Sequence, residues 1–364
     1  MDAKLCAYRG CLLGLAVGDA MGYTIDDKSW EEIQEAYGPN GLLGYDLQTQ
    51  EYAQVTSYSQ VAAFLCNGLL LGLSRGKGAY IPSCKQALRE WTRSQHFSRD
   101  PEQSLCFVAK MPYFRRNMAR DARMLDTLRL ESFGTMDTPR NNNAAPGSVT
   151  AAIVAGMFYE PHRLDADRIG ALAGELIALT HGNPEAILSG VVLSYAIAGI
   201  LNAPEHTLEE QFLQAISVME DQFGDRFPQA ATLAEALRAV IDYAKDAPCS
   251  PQDGMEQMLC LDADQCLAGA IFACLVCPED FDAAIVTAVN HSGVSSAVGA
   301  ITGAILGAKL GEYALPEFYL DSLECADVLR ILAEDMLTGS PAAGIFDDSW
   351  DLKYVQGTPP EGMI

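Results

Sequence analysis

The chain has 364 residues, 49% hydrophobic and 20% charged, a balance that fits a globular protein with a large core and excludes a disordered one. Its net charge of -24 and pI near 4.4 argue against nucleic acid or an anionic membrane as partners, since both need a basic surface.

Helical periodicity runs through the text. Apolar residues recur at three- and four-residue spacing in Arg9–Tyr23, Gln60–Leu73, Ser83–Ser94, Thr150–Tyr159, Asp165–Leu179 and Glu185–Leu201. The same spacing continues in Leu208–Gln222, Ala230–Ala247, Asp264–Val276, Phe281–Val289, Ala297–Leu310 and Cys325–Leu337. Pro184 opens one helix and Asp262 precedes another, as helix starts favour. No run alternates convincingly as a strand. Asn141–Gly147 reads as an internal loop. Gly339–Ile364, with Pro341, Pro359 and Pro360, reads as an extended C-terminal tail after a single all-α domain over residues 1–338.

Two of these helices carry glycine at every fourth position. Gly299, Gly303, Gly307 and Gly311 form one stripe, and Gly10, Gly14, Gly18 and Gly22 form another. Glycine costs a helix interior about 1 kcal/mol per residue relative to alanine, so the spacing predicts that another backbone packs closely on each stripe. A transmembrane pair shares such spacing but needs about 20 apolar residues. Val298–Ala308 is too short, with Lys309 and Glu312 behind it, and Asp19 interrupts the first run. Buried structural helices without a role in chemistry fit the pattern equally well. If the stripes pair, the residues after Gly22 lie beside those before Gly299, and a site belongs there.

The eleven cysteines sit mostly in apolar helical text and form no paired CxxC zinc pattern. Met1–Arg9 runs into the first stripe without a small-residue cleavage site. The expectation is a cytoplasmic protein with buried, reduced thiols. Asp26 and Asp27 read either as a solvated turn or as carboxylates for a single cation with Asp19. Asp19, inside an apolar helix, needs a hydrogen-bonding partner on a neighbouring helix terminus or loop. His181 reads as a ligand contact or as a C-cap before the Gly182-Asn183-Pro184 turn.

Four separated pieces carry a family resemblance: G-C-L-L-G-L-A-V-G-D-A-M-G-Y (Gly10–Tyr23), Q-V-A-A-F-L-C-N-G-L-L (Gln60–Leu70), A-L-T-H-G-N-P (Ala178–Pro184) and A-V-N-H-S-G (Ala288–Gly293). In this order they resemble the ADP-ribosylglycohydrolases, relatives of the dinitrogenase reductase-activating glycohydrolase. The resemblance implies an all-α fold and, in intact members, two magnesium ions that activate the ribose and a water. It places those ions between a Ser/Thr-Asp-Asp-Thr segment and an Asp-x-Asp-Ser/Thr segment. Here the first aligns with Thr56-Ser57-Tyr58-Ser59 and the second with Val294-Ser295-Ser296-Ala297, and neither contains an acid. A glutamate usual after the first stripe falls at Asp26. The phosphate-holding loop falls at Asn143–Ala151, with Ala144 at its lysine position and Ala151 at its arginine position.

Magnesium dehydrates only for hard, anionic oxygen ligands, so Thr56, Ser57, Tyr58, Val294, Ser296 and Ala297 mark degenerate metal positions. The resemblance implies ligand contacts at Asp19, Gln60, Gly147, Ser148, His181, Asn290, His291 and Gly293, with Asp26 the one candidate for acid catalysis. The expected function is that of a family member without bound magnesium: a pseudoenzyme that binds an ADP-ribose-like small molecule or a protein partner. Two alternatives stand beside it. One is an active hydrolase of an N- or O-glycosidic bond to ADP-ribose or a related nucleotide sugar, using a relocated metal or metal-free acid catalysis. The other is a structural subunit.

Overall fold

A computed structural model describes residues 2–48, 51–76, 78–95, 103–119, 121–160, 163–246, 250–341 and 348–363. Among the described residues there is no strand, only an isolated parallel bridge between Ala53 and Leu323. The helices, in chain order, are α1 (Ala3–Tyr23), α2 (Trp30–Tyr37), α3 (Ser57–Arg75), α4 (Tyr80–Ser94), α5 (Ala122–Leu128), α6 (Val149–Phe158), α7 (Ile169–Ala178) and α8 (Pro184–Asn202). They continue as α9 (Leu208–Phe223), α10 (Gln229–Lys245), α11 (Pro251–Gln257), α12 (Ala263–Val276), α13 (Phe281–Val289), α14 (Ser295–Leu310), α15 (Glu317–Asp321) and α16 (Ala326–Thr338). The periodic segments appear as helices, with Asp165–Leu179 opening as a 3-10 turn at Ala166–Arg168 and Ala247 lying outside the described residues. The short helices α2, α5, α11 and α15 escaped the sequence reading because eight residues or fewer give little periodicity to detect.

Helices α1 and α14 form the centre and run antiparallel. A Cβ placed on Gly10, Gly14 or Gly18 would overlap the carbonyl oxygen of Gly307, Gly303 or Gly299 respectively, and the reverse substitutions would overlap in the same way. Every residue from Gly10 to Gly22 and from Ser295 to Ala308 is buried. Glycine's helix penalty is offset here by backbone-to-backbone packing that no side chain permits. Gly311 differs from the expected fourth rung. It ends α14 with φ +83, a left-handed conformation that glycine adopts without strain, while Gly22 packs against Ser295.

Around this pair lie α3 with α4, the apolar layer of α6, α7 and α8, and the helices α12, α13 and α16. Helix α8 is the one described helix long and apolar enough to cross a membrane, but 78% of that window is buried inside the fold. The ten described cysteines are free thiols, eight of them buried.

The C-terminal segment corrects the expected extended tail. Residues Asp348–Trp350 and Asp351–Val355 form helical turns that fold back on the domain. Trp350 donates to Ser74 Oγ at 2.6 Å, and the fully buried Tyr354 donates to Asp335. Two aromatics separated by one helical turn supply the apolar area that secures this segment.

Gly14→Ala should destabilise the protein by about 1–3 kcal/mol through overpacking of α1 against α14. Gly44→Ala, with nothing within 4 Å of the added carbon, should change stability little. Urea midpoints of the two variants against wild type check this, and similar midpoints for both would contradict the packing argument.

Candidate functional site

Antiparallel pairing sets the C-terminal end of α1 against the N-terminal end of α14, with Gly22 on Ser295. The loop after α1 therefore reaches the first turn of α14. Asp26 accepts a hydrogen bond from Ser296 N at 2.9 Å and another from Ser296 Oγ, and so caps a helix 270 residues away. Helix α14 has no side-chain cap of its own, because Val294 holds the N-cap position. Asp19 does the same for α3. Its carboxylate accepts from Thr56 N (2.9 Å), Thr56 Oγ1 (2.6 Å), Ser59 N (3.0 Å) and Ser59 Oγ (2.6 Å). Burial pushes the Asp19 carboxyl up to about 6, while these four bonds pull it down.

Between the starts of α3 and α14 opens a cleft of about 480 Å³. Ser57, Tyr58 and Val61 of α3 form one wall, and Ser292, Gly293 and Val294 form the wall before α14. Asp26 and Asp27 close one side, and Leu261 and Asp262 the end before α12. The opposite side comes from Asp121–Met124, at the start of α5, and from Asn143, Ala145, Pro146 and Gly147. Four helix N-termini thus face one space, each with the positive end of its dipole inward. Four aspartates and one cation, Arg123, line it. Tyr58 is 7% exposed, and its hydroxyl has no hydrogen-bond partner among the described residues. Burial, with nearby Cys266, Asp26, Asp19 and Asp121, pushes this phenol well above its ordinary range, so it is a neutral hydroxyl that faces the cleft.

The structure separates the residues expected to contact ligand. Gly147 and Gly293 line the cleft. His181 is fully buried behind Gly147, between Thr180 Oγ1 at 2.8 Å and Asp121 Oδ2 at 3.2 Å. It is neither a direct cleft-lining group nor only a C-cap. Ser148 is 1% exposed and begins α6 behind the cleft wall. Gln60 is a correction: its amide joins α3 to Trp91 Nε1 (3.0 Å), Gln95 Nε2 (3.2 Å) and Arg116 O (3.1 Å), away from the cleft. Asn290 is another, with both side-chain groups paired to the backbone of Leu42 at 2.8 and 2.9 Å. His291 accepts from Gly293 N at 2.9 Å, and burial pushes it down to about 4, so it is a neutral turn-holding ring. Asp19 is a helix cap without cleft exposure. Of the six degenerate metal positions, Ser57, Tyr58 and Val294 line the cleft, while Thr56, Ser296 and Ala297 are buried behind it.

Asp121, like Arg123 beside it, is a cleft-lining residue the sequence reading missed. It caps α5 through Arg123 N (2.9 Å) and Met124 N (3.1 Å), and also accepts from Asn143 Nδ2 (2.5 Å). Burial alone would raise its carboxyl. The bond from His181, the charge of that ring and the bond from Asn143 outweigh burial and hold it at about 2. An aspartate before a short apolar run is a cap signal, but nothing local announces its partner sixty residues on. Leu259 and Cys260 are the other omission. Both have left-handed backbone (φ +61 and +52), and the Cys260 carbonyl accepts Val294 N at 2.8 Å, which ties a strained turn to the cleft wall. Gly293 must be glycine there, since a Cβ would overlap both carbonyls.

The sequence profile of the ADP-ribosylglycohydrolase family matches residues 2–344. The chain belongs to the ADP-ribosylglycohydrolase family. It is 22% identical over 335 residues to an uncharacterized protein of Archaeoglobus fulgidus, covering 90% of this chain and 94% of that protein. A solved structure titled ADP-ribosylglycohydrolase-related protein complex superposes with a TM-score of 0.59 at 22% identity, covering 94% of this chain and 100% of that one, and so shares the fold.

The two perturbed carboxyls carry opposite pH dependence. Asp19, raised from its ordinary 3.8, contributes stability that is complete below 3.8 and lost as pH rises through about 6. Asp121, lowered from 3.8, contributes stability present above 3.8 and lost as pH falls through about 2. Asp121→Asn should therefore lower the urea midpoint at pH 7, and its difference from wild type should shrink as pH drops below 4. A constant difference down to pH 3 would contradict this assignment.

Proposed function

We propose that this member of the ADP-ribosylglycohydrolase family does not run the two-magnesium hydrolysis and uses its cleft to bind an ADP-ribose-like ligand. One observation carries the reading. The side chains facing the cleft at the family's metal positions are Ser57, Tyr58 and Val294, and the nearby acids Asp19 and Asp26 are engaged as caps of α3 and α14. Magnesium requires several hard, largely anionic oxygens in near-octahedral array. Two neutral hydroxyls and an isopropyl group do not fit that demand. Among the described residues, no group of three His, Cys, Asp or Glu side chains is arranged to hold a metal ion.

What the cleft retains suits binding. Its volume of about 480 Å³ lies within the range of small-molecule sites, which run from about 300 to 1,000 Å³. Arg123 supplies one cation and Tyr58 a neutral hydroxyl. Val61, Met124, Pro146, Leu261 and Val294 give the apolar surface against which a sugar or base packs.

The rival reading, metal-free hydrolysis with Asp26 as the acid, draws on the carboxylate's position in the cleft wall. Both its oxygens already accept from Ser296, so the carboxyl is engaged in capping α14.

The test is a pair of measurements on the purified chain. Calorimetry should give saturable binding of ADP-ribose that Arg123→Gln weakens. Incubation with ADP-ribosylated arginine or serine peptides should give no magnesium-dependent release. Chelator-sensitive turnover would overturn the proposal. Metal-free turnover lost in Asp26→Asn would establish the rival, and absence of any ADP-ribose binding would leave a protein partner or a structural role.

Rebuilding the site is a separate check. Ser57→Asp/Tyr58→Asp/Val294→Asp should lower the melting temperature without magnesium, because clustered anions disfavour their own ionised forms. Magnesium at a hundredfold excess over its dissociation constant should restore about 2.7 kcal/mol. A folded variant indifferent to magnesium would show that these positions do not surround a metal site.

A further inference from the structure

A second concavity, of about 630 Å³, lies between α4 and the segment that follows α5, and shares no lining residue with the cleft. Lys85, Arg89 and Arg93 line it from α4. They stand four residues apart, so they form one stripe about 12 Å long on the helix. Like charges at that spacing destabilise a helix. The helix dipole accounts for Arg93 in the last turn, but not for Lys85 or Arg89 in the body of the helix.

The chain has 48 acidic residues against 24 basic ones, so cations should find carboxylates readily. These three form no ion pair among the described residues. The acid on the same helix, Glu90, faces the interior, where it accepts from Cys106 N at 2.9 Å and from Ser104. Glu131 lines the pocket, but it meets Arg89 through its backbone carbonyl, at 3.0 Å from Nη2.

Two of the three cations, Lys85 and Arg89, are also held in place. The Arg89 guanidinium lies 4.8 Å from the centre of the Phe133 ring, and Lys85 Nζ lies 5.6 Å from the same centre. An aromatic ring and a carbonyl position these groups without neutralising them. Preorganised, unpaired cations in a concave site are suited to a multivalent oxyanion, which can engage several of them together.

We infer that this pocket is an anion site for a small polyphosphate, a molecule bearing two or more linked phosphate groups, held by Lys85, Arg89 and Arg93. Inorganic phosphate, with fewer charges and a shorter reach, should bind more weakly.

Calorimetry of the full chain with pyrophosphate, tripolyphosphate and phosphate, at matched ionic strength, tests the site. Tripolyphosphate should bind saturably and more tightly than phosphate. Arg89→Gln should weaken it tenfold or more, and Lys85→Gln/Arg89→Gln/Arg93→Gln should abolish it with the melting temperature near that of wild type. Arg93→Gln alone, an exposed position that leaves the Phe133 contacts intact, should weaken it several-fold, which keeps a readout if the triple variant folds poorly. Equal affinity in wild type and Arg89→Gln would overturn the inference. So would absence of binding at millimolar tripolyphosphate, or binding lost in Arg123→Gln, which would place the anion in the cleft. Ligand binding in the cleft can fail without touching this outcome, because the two concavities are separate.

Discussion

Close contact between the backbones of α1 and α14 is the constraint on which the molecule depends. Helices separated by side chains can slide or rotate to accommodate change, because rotamers adjust. Here the carbonyls of Gly14, Gly18, Gly299 and Gly303 occupy the space where side chains would lie, so the register is set by backbone atoms. That register decides that the end of α1 meets the start of α14. It carries Asp26 onto Ser296, and Asp19, on the same helix, onto the start of α3.

The cleft follows from where helices begin. Helix N-termini present free N–H groups and a positive dipole, and gathering several around one space without anions would be costly. Asp19, Asp26 and Asp121 each answer one of them with a carboxylate from a distant or adjoining segment. The same arrangement removes these acids from other work. A carboxylate that accepts two or more hydrogen bonds from a helix start is oriented and electrostatically satisfied, and is a poor candidate for a free metal ligand. Structural and chemical roles thus compete for the same side chains, and in this chain Asp19, Asp26 and Asp121 serve as caps.

The family accounts for the scaffold, while the individual site residues account for what the scaffold can do. The cleft is lined by hydroxyl side chains, one arginine, four aspartates and several apolar groups, and the proposed reading rests on that mixture rather than on the fold. Charge is unevenly deployed elsewhere as well. The chain is strongly acidic, yet α4 carries Lys85, Arg89 and Arg93 without an ion pair among the described residues, the first two against Phe133.

The linear text determined the long helices, the glycine stripes and the family, because each rests on spacing within a few residues. Small-residue periodicity implies close packing whatever the partner, and the motifs at Gly10–Tyr23 and Ala288–Gly293 are contiguous. Only the tertiary structure decided what each motif residue touches. Gln60 and Asn290 lie in family motifs, yet their amides bind Trp91 and Leu42 in the interior, a fact set by neighbours 31 and 248 residues away. Asp121 entered the site through its contacts with His181 and Asn143, and the proline-bearing tail turned inward because Trp350 and Tyr354 found buried partners. Periodicity records which face of a helix is apolar. It carries no record of which distant helix start a carboxylate will cap, because that depends on the packing of every element between them.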